Sequence, residues 1–380
     1  MIYLDNAATT PLRPEVRQAM EPYLSASFGN PSGLHQAARA ARRAVDEARE
    51  ELAGVLGCAP AEIVFTSGGT EADNLAVTGS ALGALGQGAS RAVACCSAVE
   101  HPAVLQPSRF LGGIALPVLP EGVLDLEAAE AVLAVEAGDV AVVSLMLVNN
   151  ETGVIQPLAA LAAAARRLCP SALVHCDAVQ ALRWRPVAAE TAPADLVSYS
   201  AHKVGGPKGT GALVVRGSAR ARLAPLARGG PQERQLRAGT ENVAGIVGFA
   251  RAASLADKER AETLEKVGRL ADRLCRGVFA LAPGAVLAGA ERVPGICNIG
   301  FPGVSGEELL LLLDAAGVCA SGGSACASGA LEPSPVLLAM GLGEKEARSH
   351  VRFSLSPENT EEEIDQLLAA LSLTLPRLAS

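Results

Sequence analysis

The sequence predicts an α/β protein built on a mostly parallel sheet, followed by a smaller α+β unit. Short apolar runs of strand length recur along the chain, and several are continuous rather than alternating, as in strands buried on both faces. Helix-compatible segments lie between these runs. The chain has 380 residues, more than the roughly 250–300 at which single hydrophobic cores stop growing. We therefore expect two domains.

The first long element is a helix at residues 36–56. Its apolar side chains form one stripe, and charged side chains such as Arg42 and Glu47 face solvent. The period then changes to that of strands. The predicted strands are Ile63–Phe65, Val93–Cys95, Val142–Met146, Leu173–Cys176, Leu196–Tyr199 and Ala212–Val215, and a further helix is predicted at Leu158–Leu168. Functional side chains of such a sheet are expected at strand ends.

The pattern changes again after about Gly248. A charged helical segment, Lys258–Arg276, has a length that suits a connection between domains. The predicted elements beyond it are a strand at Cys297–Ile299, a helix at Glu307–Asp314, a strand at Val351–Ser354 and a final helix opened by a capping box of Thr360 and Glu363.

Composition and charge restrict the partners. Hydrophobic residues make up 49% and charged residues 19%, a balance able to bury a large core. A net charge of -8 argues against binding nucleic acid. The nine cysteines lack the spacing of a zinc site and suit reduced thiols. No signal-peptide pattern or membrane-spanning apolar run is present, so we expect a cytoplasmic protein without a membrane partner. The charge and the cysteine spacing predict that it has no nucleic-acid partner and no metal.

Residues 67–71, Ser-Gly-Gly-Thr-Glu, lie between a predicted strand and a predicted helix. Backbone N–H groups near Gly69 and the hydroxyl of Thr70 could converge on an anion at the helix N-terminus. A phosphate would suit this turn. The alternative is a purely structural turn, since small residues are common at such junctions.

Two polar residues follow predicted strands. Lys203 comes just after Leu196–Tyr199, and a partly shielded lysine can lose its proton and form a Schiff base with an aldehyde. Asp177 follows Leu173–Cys176. A buried carboxylate needs a positive partner, and a protonated pyridine nitrogen would make that ring an electron sink. The alternatives are a solvated surface lysine and a helix-capping aspartate.

Residues 322–329 place Cys326 among glycine, serine and alanine, where a structural thiol has little to pack against. A thiolate is the nucleophilic form of cysteine. The alternative is an incidental cysteine in a glycine-rich surface loop. Other cysteines are predicted to be structural. Cys319, which precedes the loop, could exchange with Cys326, although burial explains it more simply.

Together these motifs resemble those of the cysteine desulfurases, pyridoxal-phosphate enzymes of aminotransferase class V. The resemblance covers nearly the whole chain and points to the group with a long, mobile cysteine loop. The segments that carry it are residues 3–10, 28–32, 65–71, 100–101, 148–151, 177–180, 200–203, 237–240 and 352–354.

The resemblance implies a role for each site residue. Lys203 would form the Schiff base with pyridoxal 5'-phosphate, Asp177 would pair with the pyridinium nitrogen and Gln180 would bond the ring oxygen. His101 would stack on the ring and serve acid–base steps. The remaining assignments are Gly69, Thr70, Ser200 and His202 for the phosphate, Thr240 for the phosphate of the neighbouring subunit's cofactor in a homodimer, and Asn150 and Arg352 for the substrate carboxylate, with Asn150 also near the cofactor.

The implied fold is the type I fold of pyridoxal-phosphate-dependent transferases. We place the large cofactor-binding domain at residues 16–255. The small domain would combine residues 1–15 and 256–380, and would carry both the Cys326 loop and Arg352.

The implied reaction removes sulfur from L-cysteine. Cys326 would attack the substrate's sulfur, leaving L-alanine and a persulfide that is passed to an acceptor protein for iron–sulfur cluster, thio-cofactor or thiolated tRNA synthesis. One alternative is another class V activity, such as a selenocysteine lyase or an aminotransferase. The other is a catalytically silent scaffold that only inherits the fold.

Overall fold

A computed structural model describes residues 1–322 and 332–378. Cys326 and most of the glycine-rich segment predicted to be a mobile loop lie outside the described residues. The strands are β1 (Ile2–Tyr3), β2 (Ile63–Thr66), β3 (Val93–Ser97), β4 (Ile114–Leu116), β5 (Val140–Ser144), β6 (Leu173–Asp177), β7 (Leu196–Ser200), β8 (Gly211–Val215), β9 (Val286–Leu287), β10 (Ile296–Gly300), β11 (Val318–Cys319) and β12 (His350–Ser354).

Helices separate most of these strands. They are α1 (Pro14–Leu24), α2 (Gln36–Leu56), α3 (Gly69–Gly86), α4 (Pro102–Phe110), α5 (Leu126–Glu136), α6 (Leu158–Leu168), α7 (Val187–Glu190), α8 (Val243–Lys258), α9 (Arg260–Leu281), α10 (Gly306–Ala315), α11 (Pro335–Ala339), α12 (Glu344–Ala347) and α13 (Glu361–Leu378). Short 3-10 turns occupy residues 60–62, 201–203, 217–222 and 232–235.

The large sheet has seven strands in the order β2-β8-β7-β6-β5-β3-β4. The neighbours from β4 to β7 are parallel, and β8 runs antiparallel to both β7 and β2. Every residue of β5, β6, β7 and β8 is buried, because helices cover both faces of the sheet. The predicted α/β fold with a mostly parallel sheet is confirmed. The carboxyl ends of the parallel strands share one edge, where polar side chains collect.

Local sequence signals place several elements correctly. The predicted helices at residues 36–56 and 158–168 are confirmed to the residue. The first ends because Gly57 adopts a left-handed conformation with φ of 64°, and its N–H caps the carbonyl of Ala53. The predicted capping box also forms: Glu363 N donates to Thr360 Oγ1 at 3.3 Å, and Thr360 N donates to Glu363 Oε2 at 3.2 Å.

Two predicted boundaries differ from the structure. The helix predicted at residues 258–276 is α9, which begins at Arg260 and continues to Leu281, whereas Lys258 is the last residue of α8. Glu259 stands at the junction, where its carboxylate accepts from Arg13 at 2.6 Å. The strand expected to reach Met146 ends at Ser144, since the N–H of Met146 turns to Glu100 Oε1 at 2.6 Å.

The smaller sheet has three antiparallel strands in the order β12-β10-β9, and α9, α10 and α13 form its helical layer. The N-terminal segment joins both sheets. Strand β1 pairs with β11, Asp5 bridges to Ser354, and the N–H of Thr10 donates to the carbonyl of His202 at 3.0 Å. The division at residues 15 and 255 stays a prediction.

Among the described residues, no helix is both long enough and apolar enough to cross a membrane. The cysteines of the same ranges are free thiols. Those predicted to fill strands, Cys95, Cys96 and Cys176, are buried in β3 and β6, and Cys319 is half-buried in β11.

We expect Gly211→Ala to destabilise the fold by about 1–3 kcal/mol. Gly211 starts β8 beside the turn that precedes α3, and an added Cβ would lie 2.6 Å from the carbonyl carbon of Gly68 and 2.7 Å from the oxygen of Tyr199. Both obstacles are backbone atoms, so neither can move aside cheaply. The urea midpoint of the variant should fall.

Gly268→Ala is the matched control. A Cβ at Gly268 meets nothing within 4 Å inside α9, so alanine should stabilise that helix by about 0.5–1 kcal/mol. Equal responses of the two variants would contradict the close approach at Gly211.

Candidate active site

A cavity of about 410 Å³ lies at the carboxyl edge of the large sheet. Ten of the predicted site residues line it. They are drawn from the start of α3, the residue before α4, the segment after β5, the ends of β6 and β7 with the turns that follow, and strand β12. They are Gly69, Thr70, His101, Asn150, Asp177, Gln180, Ser200, His202, Lys203 and Arg352.

Lys203 ends the short turn that follows β7. Its Nζ donates to the carbonyl oxygens of Ala7 at 2.6 Å and Ala8 at 2.8 Å. Burial, and then Arg352, lower the pKa of Lys203 to about 8 against the opposing effect of Asp177. About a tenth of such an amine is unprotonated at pH 7, far more than for an exposed lysine. The amine is therefore available as a nucleophile, and the surface-lysine alternative is wrong.

Asp177 is the last residue of β6 and is buried. Its Oδ1 accepts from the N–H of Val179 at 2.9 Å, and the chain continues in turns rather than a helix, so the helix-cap alternative is wrong. Burial raises the pKa of Asp177, while His101 opposes that shift. Gln180 donates from Nε2 to the carbonyl of Ala7 at 2.7 Å.

His101 caps the N-terminus of α4. Its Nδ1 accepts from the N–H of Ala103 at 3.1 Å, so in the neutral ring the proton sits on Nε2. Burial lowers the pKa of His101, although Asp177 raises it. The imidazole thus offers a donor to the cavity without a fixed positive charge.

The turn before α3 is a candidate anion-binding site. Helix α3 begins at Gly69, so its first N–H groups are free. A Cβ on Gly69 would lie 2.7 Å from Val179 Cγ2, so a larger residue here would have to displace the Val179 side chain. The hydroxyl of Ser200 is buried beside this turn with no partner among the described residues. Burial lowers the pKa of His202 to about 4, so His202 is a neutral partner for an anion.

Arg352 projects from β12 with a nearly buried side chain. Its Nη1 donates to the carbonyl of Asn150 at 2.8 Å and its Nη2 to Asp5 Oδ1 at 2.7 Å. The Nε is buried with no partner in the described part of the chain. Because Asp5 and Asn150 fix its plane, Arg352 can offer a planar fork to a carboxylate.

A buried polar group behind Asp177 was not predicted from the sequence. His175 bonds Ser144 Oγ at 2.8 Å and Ser198 Oγ at 2.9 Å, and its Nε2 lies 3.6 Å from Asp73 Oδ1. Burial lowers the pKa of His175 to about 3, so it is neutral.

Two further carboxyls, those of Asp73 and Glu100, are buried in the same region. Burial, and then Asp177, raise the pKa of each well above its usual range. One sequence signal could have found part of this group: His175 and Asp177 are two apart in a strand and face the same side.

Two predicted residues lie elsewhere. Thr240 is exposed and is not part of the cavity of its own subunit. Cys326 lies outside the described residues. Asp5, Ala7 and Ala8 complete the site although the sequence had suggested no role for them individually.

The sequence and the fold both have known relatives. Residues 2–367 match the model of the family described as aminotransferase class V. The chain is 46% identical to a cysteine desulfurase of Cereibacter sphaeroides over 379 residues, which cover 97% of this chain and 94% of that relative.

Solved structures agree with this relationship. A NifS-like protein superposes with a TM-score of 0.90 at 34% identity, covering 99% of this chain and 100% of that one. The structure of SspA in complex with cysteine superposes with a TM-score of 0.79 at 31% identity, covering 95% of this chain and 100% of that one.

Pyridoxal phosphate is the cofactor of this family, and the cavity suits it. An amine with a lowered pKa, a buried carboxylate and an unpartnered buried hydroxyl beside a helix N-terminus are grouped at one sheet edge. These are the groups that an aldehyde, a pyridine nitrogen and a phosphate require. The chain belongs to the class V aminotransferase family and, within it, to the cysteine desulfurases.

Proposed function

We propose that this chain takes sulfur from L-cysteine, releases L-alanine and carries the sulfur as a persulfide on Cys326. The placement of Lys203, Asp177 and Arg352 around one cavity supports this proposal most directly. An amine that can form a Schiff base lies in the same cavity as a guanidinium that can bind a carboxylate. An amino acid substrate needs both.

Pyridoxal phosphate supplies an aldehyde that condenses with amines and a ring that accepts electrons from the substrate. Lys203 Nζ would hold the aldehyde carbon. Asp177 would keep the ring nitrogen protonated, since a buried carboxylate without a positive partner is unstable. The N–H groups at the start of α3, Thr70, Ser200 and His202 would hold the phosphate.

Substrate orientation would come from Arg352 and Asn150. The carboxylate of cysteine would bind the guanidinium of Arg352, whose plane Asp5 and the carbonyl of Asn150 fix at 2.7 and 2.8 Å. A guanidinium–carboxylate pair of this kind fixes both the position and the orientation of the substrate. The α carbon would thereby face Lys203.

Proton transfer would use Lys203 and His101. With a pKa near 8, Lys203 Nζ can take and return a proton near neutral pH. His101 Nε2 carries a proton toward the cavity when the ring is neutral, because Nδ1 accepts from Ala103. These two atoms are the proton donors and acceptors that we assign to the reaction.

Sulfur transfer would use the thiolate of Cys326. It attacks the sulfur of the bound cysteine, so that an S–S bond forms and the substrate's C–S bond breaks. The electron pair of that bond stays with the substrate carbon, which takes a proton and leaves as part of alanine. The persulfide would then pass to an acceptor protein.

We also propose a cytoplasmic homodimer in which Thr240 reaches the partner subunit's cofactor phosphate. The exposure of Thr240 outside its own cavity supports this assignment. The acceptor would serve iron–sulfur cluster, thio-cofactor or thiolated tRNA synthesis. Relatives named IscS and NifS are 41% and 42% identical to the chain.

Cys326→Ala tests the nucleophile. We expect alanine production from cysteine to fall at least about 100-fold, because no thiolate remains to take the sulfur, while the cofactor stays bound and the protein stays yellow. Cys319→Ala is the matched control and should keep its turnover. Retained turnover in Cys326→Ala would support a class V activity that needs no loop thiol.

Arg352→Lys tests carboxylate binding. The loss of a bidentate pair should raise KM for cysteine about tenfold or more, because lysine is a point charge and cannot reproduce the fork. Steady-state alanine release measures the effect. Arg269→Lys, on the exposed face of α9, should leave KM unchanged, and an unchanged KM in Arg352→Lys would place the substrate carboxylate elsewhere.

The pH dependence of cofactor loading tests Lys203. Only the unprotonated amine attacks the aldehyde, so the second-order rate of loading should rise about tenfold per pH unit below 8 and level off above it, as its pKa of about 8 requires. Stopped-flow absorbance after mixing cofactor with cofactor-free protein follows the reaction. A rate that keeps rising to pH 10 would show an ordinary lysine.

A further inference from the structure

Residues 233–235 have an unusual backbone. Glu233, Arg234 and Gln235 have φ of 43°, 56° and 68°, three consecutive left-handed residues and none of them glycine. Side chains disfavour this conformation, and it persists only where surrounding contacts impose it. The segment leads directly to Thr240.

The carboxylate of Glu233 imposes the first constraint. It is buried and accepts from Arg49 Nη2 at 2.7 Å and Nη1 at 3.1 Å, and also from the backbone N–H of Phe65 at 2.9 Å. Phe65 lies in β2, the edge strand of the large sheet. The free edge would otherwise leave this N–H without a strand partner.

The neighbouring carbonyl of the same edge is also capped. The oxygen of Ile63 accepts from Arg49 Nη1 at 2.7 Å and from Arg234 Nη1 at 3.0 Å. Side chains therefore replace the missing strand, and the left-handed run is what turns Glu233 and Arg234 toward the same edge. The segment is fixed to the sheet at its start.

A second constraint acts on the residues between this left-handed run and Thr240. Arg237 Nε donates to Glu71 Oε1 at 2.9 Å, and Glu71 Oε2 accepts from the N–H of Ser67 at 2.6 Å. Ser67 precedes α3 and Glu71 lies in its first turn, where the cofactor phosphate of the same subunit would bind. Just past Thr240, Glu241 pairs with Arg42 at 2.7 Å. Thr240 is thus exposed between anchored neighbours.

We propose that Glu233 and Arg237 are positioning residues that hold Thr240 in the orientation needed to reach the partner subunit's cofactor phosphate. This inference rests on the proposed homodimer with shared sites. An exposed threonine on a free loop would lose conformational freedom on binding a phosphate, whereas a segment held at both sides has already lost it. Neither Glu233 nor Arg237 needs to touch the cofactor.

A double-mutant cycle on the full-length protein tests the proposal. The dissociation constant of pyridoxal phosphate would be measured by absorbance titration for the wild type, Glu233→Gln, Thr240→Ala and the double variant. Glu233→Gln should weaken binding about tenfold when Thr240 is present and less than about twofold in the Thr240→Ala background. Arg237→Gln should behave in the same way, and its half-buried site makes misfolding a smaller concern.

Glu190→Gln is the matched control. Glu190 also accepts two hydrogen bonds from one arginine, Arg185, at 2.9 and 2.5 Å, but it lies outside the segment. Its cofactor affinity should stay within about twofold of the wild type. Thermal unfolding of the cofactor-free variants reports the general loss of stability separately.

Two results would overturn the proposal, and they differ. If Glu233→Gln and Arg237→Gln weaken binding equally with and without Thr240, their role is structural and the shared phosphate site stands. If Thr240→Ala itself leaves cofactor affinity unchanged, the shared site fails and the positioning role fails with it. If Thr240→Ala does weaken binding, mixed dimers of Lys203→Ala and Thr240→Ala subunits show whether Thr240 acts across the dimer, since only a contact between subunits would restore one site of wild-type affinity.

Discussion

The structure of the site depends on the burial of one amine at the carboxyl edge of the sheet. Lys203 is held by the carbonyls of Ala7 and Ala8, and these carbonyls come from a segment that also accepts from Gln180 and bonds the turn after β7 through Thr10. This N-terminal segment therefore contributes Ala7 and Ala8 to the wall of the cavity. Burial lowers the pKa of Lys203, and the lowered pKa makes unprotonated, nucleophilic amine available near neutral pH.

Charge balance in the cavity follows from the same burial. Asp177 raises the pKa of both Asp73 and Glu100 beyond the effect of their burial, and the neutral His175 does not offset these carboxyls. Three ionised carboxylates cannot share one apolar region. Asp73 and Asp177 both line the cavity, but His101 and Lys203 oppose the rise in the pKa of Asp177. Asp177 is therefore the one placed to remain ionised, provided that a positive ring nitrogen joins it.

The edge strand β2 links sheet and site in a second way. It leads into the turn at Gly69 that begins α3, and its open edge is capped by Arg49, Glu233 and Arg234. The edge is therefore protected from pairing with other strands. The same contacts fix the start of the segment that bears Thr240 to β2, and Arg237 joins that segment to Glu71 at the start of α3. The capping of the sheet edge and the geometry of the site are therefore linked.

The sequence by itself determined the α/β class, the long helices and most site residues. Residue period and capping signals act locally, and this is why α2, α6 and the capping box of Thr360 agree with the structure. Sequence motifs likewise identified Lys203, Asp177 and Arg352, which line the cavity. Tertiary structure alone decided the break at Glu259, the roles of Asp5 and the Ala7 and Ala8 carbonyls, and the carboxyl group behind Asp177. Each of these depends on contacts between residues far apart in the chain, such as Arg13 with Glu259 and Asp5 with Arg352, and no local period or spacing encodes such contacts.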